Sequence, residues 1–125
     1  MARAGIMIVE DERIVALDLK QRLQALGYAV KAMASAGHEA VEKAGATRPD
    51  LILMDIHLAN GMDGIEAAKQ IRRLYRTPII FLTAYADEGT RERAKVTEPF
   101  GYILKPFEEG ELATTIEMAL STSRH

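Results

Sequence analysis

The chain contains no cysteine, which excludes disulfides and thiolate metal sites and fits a reducing compartment. It also has no apolar stretch approaching the ~20 residues of a bilayer-spanning helix. Its start, Met1-Ala2-Arg3-Ala4-Gly5, lacks the apolar core of a signal peptide. The expected location is therefore the cytoplasm, without membrane contact. An excess of one charge is missing as well: 16 basic residues against 18 acidic ones leave a net charge of -2. That excludes a general affinity for nucleic acid or anionic surfaces, so partners must be recognised through specific patches. Repeats and low-complexity segments are absent, and the four prolines all stand in or next to connections. What is left, at 125 residues and 48% hydrophobic content, is one globular domain with room for one substantial core. It is expected to span residues 1–125, with its core over about 5–121 and a polar tail from Ser121 to His125.

The pattern centres on Leu51-Ile52-Leu53-Met54-Asp55. A short, wholly apolar run predicts a strand buried on both faces, because a half-exposed strand would alternate with polar residues. Ile6-Met7-Ile8-Val9 is a second such run and also ends in acid, Glu10-Asp11-Glu12. Ile79-Ile80-Phe81-Leu82 leads to Thr83-Ala84, and Gly101-Tyr102-Ile103-Leu104 leads to Lys105-Pro106. Tyr28 to Ala34 reads as one more strand. Helices alternate with these strands. Val15, Leu19, Leu23 and Leu26 share one face, and Gly27 follows as a left-handed cap. Ser35 is the expected cap of a helix over about 37–46 with Ala40, Val41 and Ala44 inward. Asn60-Gly61 signals a turn. Asp63 with Glu66 forms a capping box for a helix burying Ile65, Ala68 and Ile71. A polar helix is expected from about Asp87 to Val96, ahead of the turn at Glu98-Pro99, and a last one from about Glu108 to Ser121 with Leu112, Ile116, Ala119 and Leu120 inward.

Five strands joined through helices run parallel with right-handed crossovers, so the predicted fold is an α/β, doubly wound (βα)5 sandwich around a five-stranded parallel sheet. Ligands collect at the C-terminal edge of such sheets. Glu10-Asp11, Asp55, Thr83 and Lys105 all stand there. Any one of them has an ordinary explanation as a cap, a strand residue or a solvated surface group, but that explanation would have to hold four times at one edge. Two carboxylates about 4 Å apart repel by roughly 4 kcal/mol at an effective dielectric of about 20, and up to three converge. The cluster calls for a cation, and an all-oxygen donor set suits magnesium, with manganese an acceptable substitute.

The order Glu10-Asp11, Asp55, Thr83-Ala84, Lys105-Pro106-Phe107 resembles the receiver domain of two-component response regulators, across Ile6 to Leu120. The resemblance implies a CheY-like fold with flavodoxin-like strand order 2-1-3-4-5. By it, Asp55 accepts a phosphoryl group from the phosphohistidine of a histidine kinase or histidine phosphotransfer domain. Asp11 and Asp55 would ligate magnesium, Glu10 would act through a metal-bound water, and His57 would offer its backbone carbonyl. Lys105 and Thr83 would contact phosphoryl oxygens. Thr83 and Tyr102 would form the switch that alters the surface of the fourth helix, fifth strand and fifth helix, and Lys105-Pro106 would be cis. Without the resemblance, Tyr102 reads as a half-buried strand residue.

The chain departs from the common receiver pattern after Asp55, where the loop from His57 to Gly64 is one residue longer and lacks the usual proline. His57 and Tyr85, each two residues beyond a site residue, either tune the lifetime of the phosphorylated state or are plain surface residues. Arg72-Arg73, Arg91 and Arg93 are expected to be solvated, as are His38 and His125, and the methionines read as core filler. A second reading is a haloacid-dehalogenase-type phosphatase with an aspartate nucleophile, which wants an Asp where His57 stands. A flavodoxin-like binding module would want a Ser/Thr/Gly-rich loop where Glu10-Asp11-Glu12 stands. The expected protein is thus a signalling phosphoacceptor acting only on itself. Its downstream effector is left unspecified, with room for a homodimer through the last helices and no direct nucleic-acid contact.

Overall fold

A computed structural model of the chain describes residues 3–59, 61–84 and 88–123. Strands and helices alternate as β1 (Gly5–Val9), α1 (Arg13–Ala25), β2 (Ala29–Ala34), α2 (Gly37–Thr47), β3 (Leu51–Asp55), α3 (Gly64–Leu74), β4 (Ile79–Thr83), α4 (Glu88–Lys95), β5 (Gly101–Leu104) and α5 (Glu109–Ser123). The five strands form one sheet in the order β2-β1-β3-β4-β5, and every pairing is parallel. The apolar runs explain why. β1, β3 and β4 are buried along their whole length and sit inside the order, while β2 and β5 are only partly buried and form its edges.

Alternate residues of each central strand feed two cores. Met7, Val9, Ile52, Met54, Ile79 and Phe81 pack with Ala40 and Ala44 of α2, Ile65 and Ile71 of α3 and Ala94 of α4. Ile6, Ile8, Leu51, Leu53, Ile80 and Leu82 pack with Leu19 and Leu23 of α1 and Leu112 and Ile116 of α5. The apolar faces predicted for α3 and α5 are buried as expected. In α1, Ala16 is buried and Val15 and Leu26 only half-buried; in α2, Ala40 and Ala44 are buried as expected and Val41 packs half-buried against the same core. Among the described residues no helix is long and apolar enough to cross a membrane.

Three local expectations are corrected. Ser35 does not cap α2; the N-cap is Ala36, without a side-chain bond. Ser35 instead donates its N–H to Glu39 Oε1 at 2.8 Å, so the acid of the first turn reaches back to the chain ahead of the helix. Tyr28 precedes β2, which begins at Ala29. The residues assigned to a polar tail continue α5 as far as Ser123, while Arg124 and His125 lie outside the described residues, as do Asn60 of the expected turn and the expected α4 start at Asp87. Gly27 does adopt the left-handed conformation, φ 96°. The Asp63–Glu66 capping box forms in full.

Candidate functional site

Strand register sets the site. Val9 pairs with Met54, Asp55 with Leu82 and Thr83 with Leu104. Glu10, Asp55, Thr83 and Lys105 therefore end neighbouring strands at one edge of the sheet. Gly64 locks the middle of this edge. Its N–H donates to the Ile56 carbonyl at 2.9 Å, and a Cβ there would overlap the Asp55 carbonyl oxygen. Only glycine lets the start of α3 approach the Asp55 peptide so closely.

Side chains converge on the same point. Lys105 Nζ donates to Glu10 Oε1 at 2.7 Å and to Asp55 Oδ2 at 3.1 Å. The His57 N–H donates to Asp55 Oδ1 at 3.1 Å, the Ala59 N–H to Asp11 Oδ2 at 3.2 Å and the Glu12 N–H to Glu10 Oε2 at 3.1 Å. Ligand oxygens of Glu10, Asp11 and Asp55 all lie within 4.8 Å of one another. Glu10 and Asp55 are only 2% and 4% exposed, so little water is left to screen them. Among the described residues Lys105 supplies the ammonium bonded to Glu10 and Asp55, and one positive charge leaves a net negative site when all three acids ionise. The donor set is entirely oxygen and under-compensated, and it fits a hard divalent cation.

The protonation balance follows from burial. Desolvation pushes the Glu10 carboxyl up to about 7 and Asp55 adds to the rise, while Lys105 and the Glu12 N–H pull against it. Burial acts to lower Lys105, yet its bonds to Glu10 and Asp55 prevail and hold the ammonium above its ordinary value. Without a divalent cation, folded Glu10 keeps its proton to a higher pH than unfolded Glu10 does. Its stabilising contribution is then complete below 4.5 and lost as pH rises through about 7. Denaturation midpoints in EDTA are expected to fall between about pH 5 and 8, and Glu10→Gln is expected to flatten that fall.

Thr83 is 4% exposed and its carbonyl accepts the Lys105 N–H at 2.9 Å. Tyr102 is half-buried against the α2–α3–α4 core. Its ring centroid lies 6.1 Å from that of Phe81, and the Arg91 guanidinium carbon stands 5.6 Å above it. The Lys105–Pro106 bond is cis. The His57 side chain is exposed, and Tyr85 lies outside the described residues.

Arg91 and Arg93 are exposed, as expected, but each has a partner that its position in the chain does not announce. Besides Arg91 over Tyr102, Arg93 Nη2 donates to Asp63 Oδ2 at 2.8 Å. Burial acts to raise Asp63, but the Glu66 N–H and Arg93 hold its carboxyl below the usual range. No linear signal joins partners thirty positions apart.

A doubly wound sheet carrying an acidic trio and a lysine at its C-terminal edge is the framework of a phosphoacceptor signalling domain. A family model of the response regulator receiver domain matches residues 6–117, and the chain belongs to that family. It is 38% identical over 119 residues to the transcriptional regulatory protein PdtaR of Mycobacterium tuberculosis, covering 95% of this chain and 58% of that protein. The chain thus spans little more than half of that relative. Among solved structures, it is 41% identical to the signal receiver domain of a modulated diguanylate cyclase from Desulfovibrio desulfuricans G20, covering 98% and 97% of the two chains with a TM-score of 0.92. The receiver domain of sensor histidine kinase PA1611 from Pseudomonas aeruginosa PAO1 is 35% identical, with coverage of 96% and 99% and a TM-score of 0.87, and has a magnesium ion coordinated in its active site cleft. The haloacid-dehalogenase alternative finds no support among these relatives.

Proposed function

We propose that the chain, as one receiver domain over about residues 5–121, takes a phosphoryl group on Asp55 in a histidine-to-aspartate phosphorelay. The observation that carries this is the meeting of the Asp55 carboxylate with the Lys105 ammonium at 3.1 Å, beside Glu10 and Asp11 and on a sheet edge that Gly64 holds fixed.

An Asp55 carboxylate oxygen attacks phosphorus in line, an acyl phosphate bond forms, and the bond from phosphorus to the donor imidazole breaks. The electron pair of that bond leaves with the imidazole nitrogen, which takes up a proton. Lys105 and the Thr83 hydroxyl stabilise charge on the equatorial oxygens. Magnesium, or manganese in its place, would supply further charge neutralisation when bound; Asp11 and Asp55 would hold it directly, Glu10 through a water and His57 through its carbonyl. Reversal of the signal is hydrolysis: water attacks phosphorus and phosphate departs, restoring the carboxylate. His57 and Tyr85, each two positions beyond a site residue in the sequence, tune the lifetime of the phosphorylated state.

About two negative charges added at Asp55 draw Thr83 inward and turn Tyr102, changing the α4–β5–α5 surface read by an effector. The donor, a histidine kinase or phosphotransfer domain, docks over α1. The domain works in the cytoplasm, catalyses only its own phosphorylation and dephosphorylation, and touches neither nucleic acid nor membrane directly; its last helices offer a surface for a homodimer.

The test is intact mass after incubation with acetyl phosphate, with magnesium or with EDTA. A magnesium-dependent gain of about 80 Da, one phosphoryl group, labile to hydroxylamine and mapped to Asp55, is the expected result. An adduct on another residue, or no adduct together with no beryllofluoride binding, would overturn the proposal.

A further inference from the structure

Helix α4 is eight residues long and buries one side chain, Ala94. A helix of that length does not persist in water on its own, and so little apolar area does not fix its position. Polar contacts on two sides take over. Residues 91 and 93 lie about 200° apart around a helix, and the two arginines there reach in opposite directions. Arg91 covers the Tyr102 ring on the β5 side. Arg93 reaches Asp63 on the α3 side.

Asp63 is a well-anchored partner. Its other oxygen, Oδ1, accepts the Glu66 N–H at 2.9 Å, and its own N–H donates to Glu66 Oε1 at 3.3 Å, so the carboxylate is set by the capping box before Arg93 arrives. The next residue, Gly64, abuts the Asp55 carbonyl. Between Asp55 and Asp63 runs the loop whose His57 and Ala59 N–H groups hold Asp55 and Asp11. This is also the loop that is a residue longer than usual and without its proline, so it has less backbone restraint of its own.

We propose that Arg93 is a positioning residue for the phosphoryl site: through Asp63 it clamps the end of the β3–α3 loop to α4, so that loop order around Asp55 and placement of α4 form one equilibrium. This rests on Asp55 being the phosphoacceptor. A partner that moves α4 then changes how long the acyl phosphate survives, because a loosened loop lets water reach phosphorus. The ion pair is partly exposed, with side chains 53% and 24% accessible, so a coupling of about two- to five-fold is the appropriate scale.

The test uses Arg93→Ala, Asp63→Ser and the double variant. Serine keeps a capping oxygen and removes the carboxylate. Each single change is expected to speed loss of the acyl phosphate by about two- to five-fold, and the double variant no further than either single one. Arg93→Lys restores most of the lifetime. In unphosphorylated protein, Arg93→Ala is expected to raise amide exchange in 88–95 and in 56–59 together. Additive effects on the lifetime, or faster exchange confined to 88–95, would overturn the clamp. The exchange measurement needs no phosphoryl group, so failure of the clamp is separable from failure of Asp55 as acceptor, which shows as a wild-type chain without adduct.

Discussion

Asp55→Asn is expected to take up no detectable phosphoryl group and to remain folded. The amide is isosteric with the carboxylate and its Oδ1 can go on accepting the His57 N–H, which bonds Asp55 Oδ1 at 3.1 Å in the native chain. Gly64 still fits against the peptide carbonyl, since only the side chain changes. What disappears is the anionic nucleophile, and a neutral amide oxygen does not replace it. Two electrostatic effects then oppose each other. One bond to Lys105 Nζ is lost, while Glu10 and Asp11 lose a repelling neighbour worth roughly 4 kcal/mol at about 4 Å and an effective dielectric of about 20. Asp55 contributes to the rise of Glu10, so that rise shrinks in the variant. In EDTA above neutral pH the expected balance is a gain of about 1 kcal/mol in stability, and the stabilisation by added magnesium becomes smaller than in the native chain. Intact mass after acetyl phosphate treatment reads the first effect and denaturant titration with and without magnesium the second. A normal adduct yield in Asp55→Asn would move the acceptor to another residue.

The residues in order carry local signals and omit the contacts that only folding makes. Apolar runs of four or five with acid, Thr or Lys at their ends are local signals, and strand burial on both faces follows from them without knowledge of partners. β1, β3 and β4 are legible for that reason, and the capping box at Asp63 from the three-residue spacing to Glu66. Helix boundaries are less so. Ser35 reads as a cap, but Glu39 accepts its N–H, a competition between two acceptable local bonds that composition does not decide. Contacts made only after folding left no trace in the sequence. Arg91 and Arg93 lie on a solvated helix with one buried residue, and their partners Tyr102 and Asp63 come beside it only in the folded chain. Gly64 is similar: glycine at a helix start is unremarkable, and its fit against the Asp55 carbonyl appears only when β3 and α3 pack.

Removing the counter-charge is expected to have the second large effect. Lys105→Met keeps an apolar stem of similar length and leaves Glu10 and Asp55, both nearly inaccessible to water, without an ammonium. Breaking a buried pair in this way costs about 3–5 kcal/mol. The Lys105 side chain is 19% exposed, so some water reaches the gap, and an expected loss of about 2–3 kcal/mol in EDTA at mildly alkaline pH is more realistic. The sign with pH is fixed by linkage. Lys105 lowers Glu10 in the native chain, so its removal lifts the Glu10 carboxyl further above its ordinary value. The contribution of Glu10 to stability then survives to higher pH before it is lost, and the variant recovers toward the native chain as pH falls and the carboxyl takes its proton. Magnesium, supplying the missing positive charge, is expected to restore more stability to the variant than it adds to the native chain. Phosphoryl transfer is not expected to recover with it, because in the proposed chemistry Lys105 also stabilises the charge that develops on the phosphoryl oxygens; its loss is expected to slow uptake from acetyl phosphate by about 10²-fold. Equal stability of the two proteins across pH in EDTA would mean that the acids are screened by something other than this lysine. Full-rate uptake by Lys105→Met would likewise remove the ammonium from the transition state.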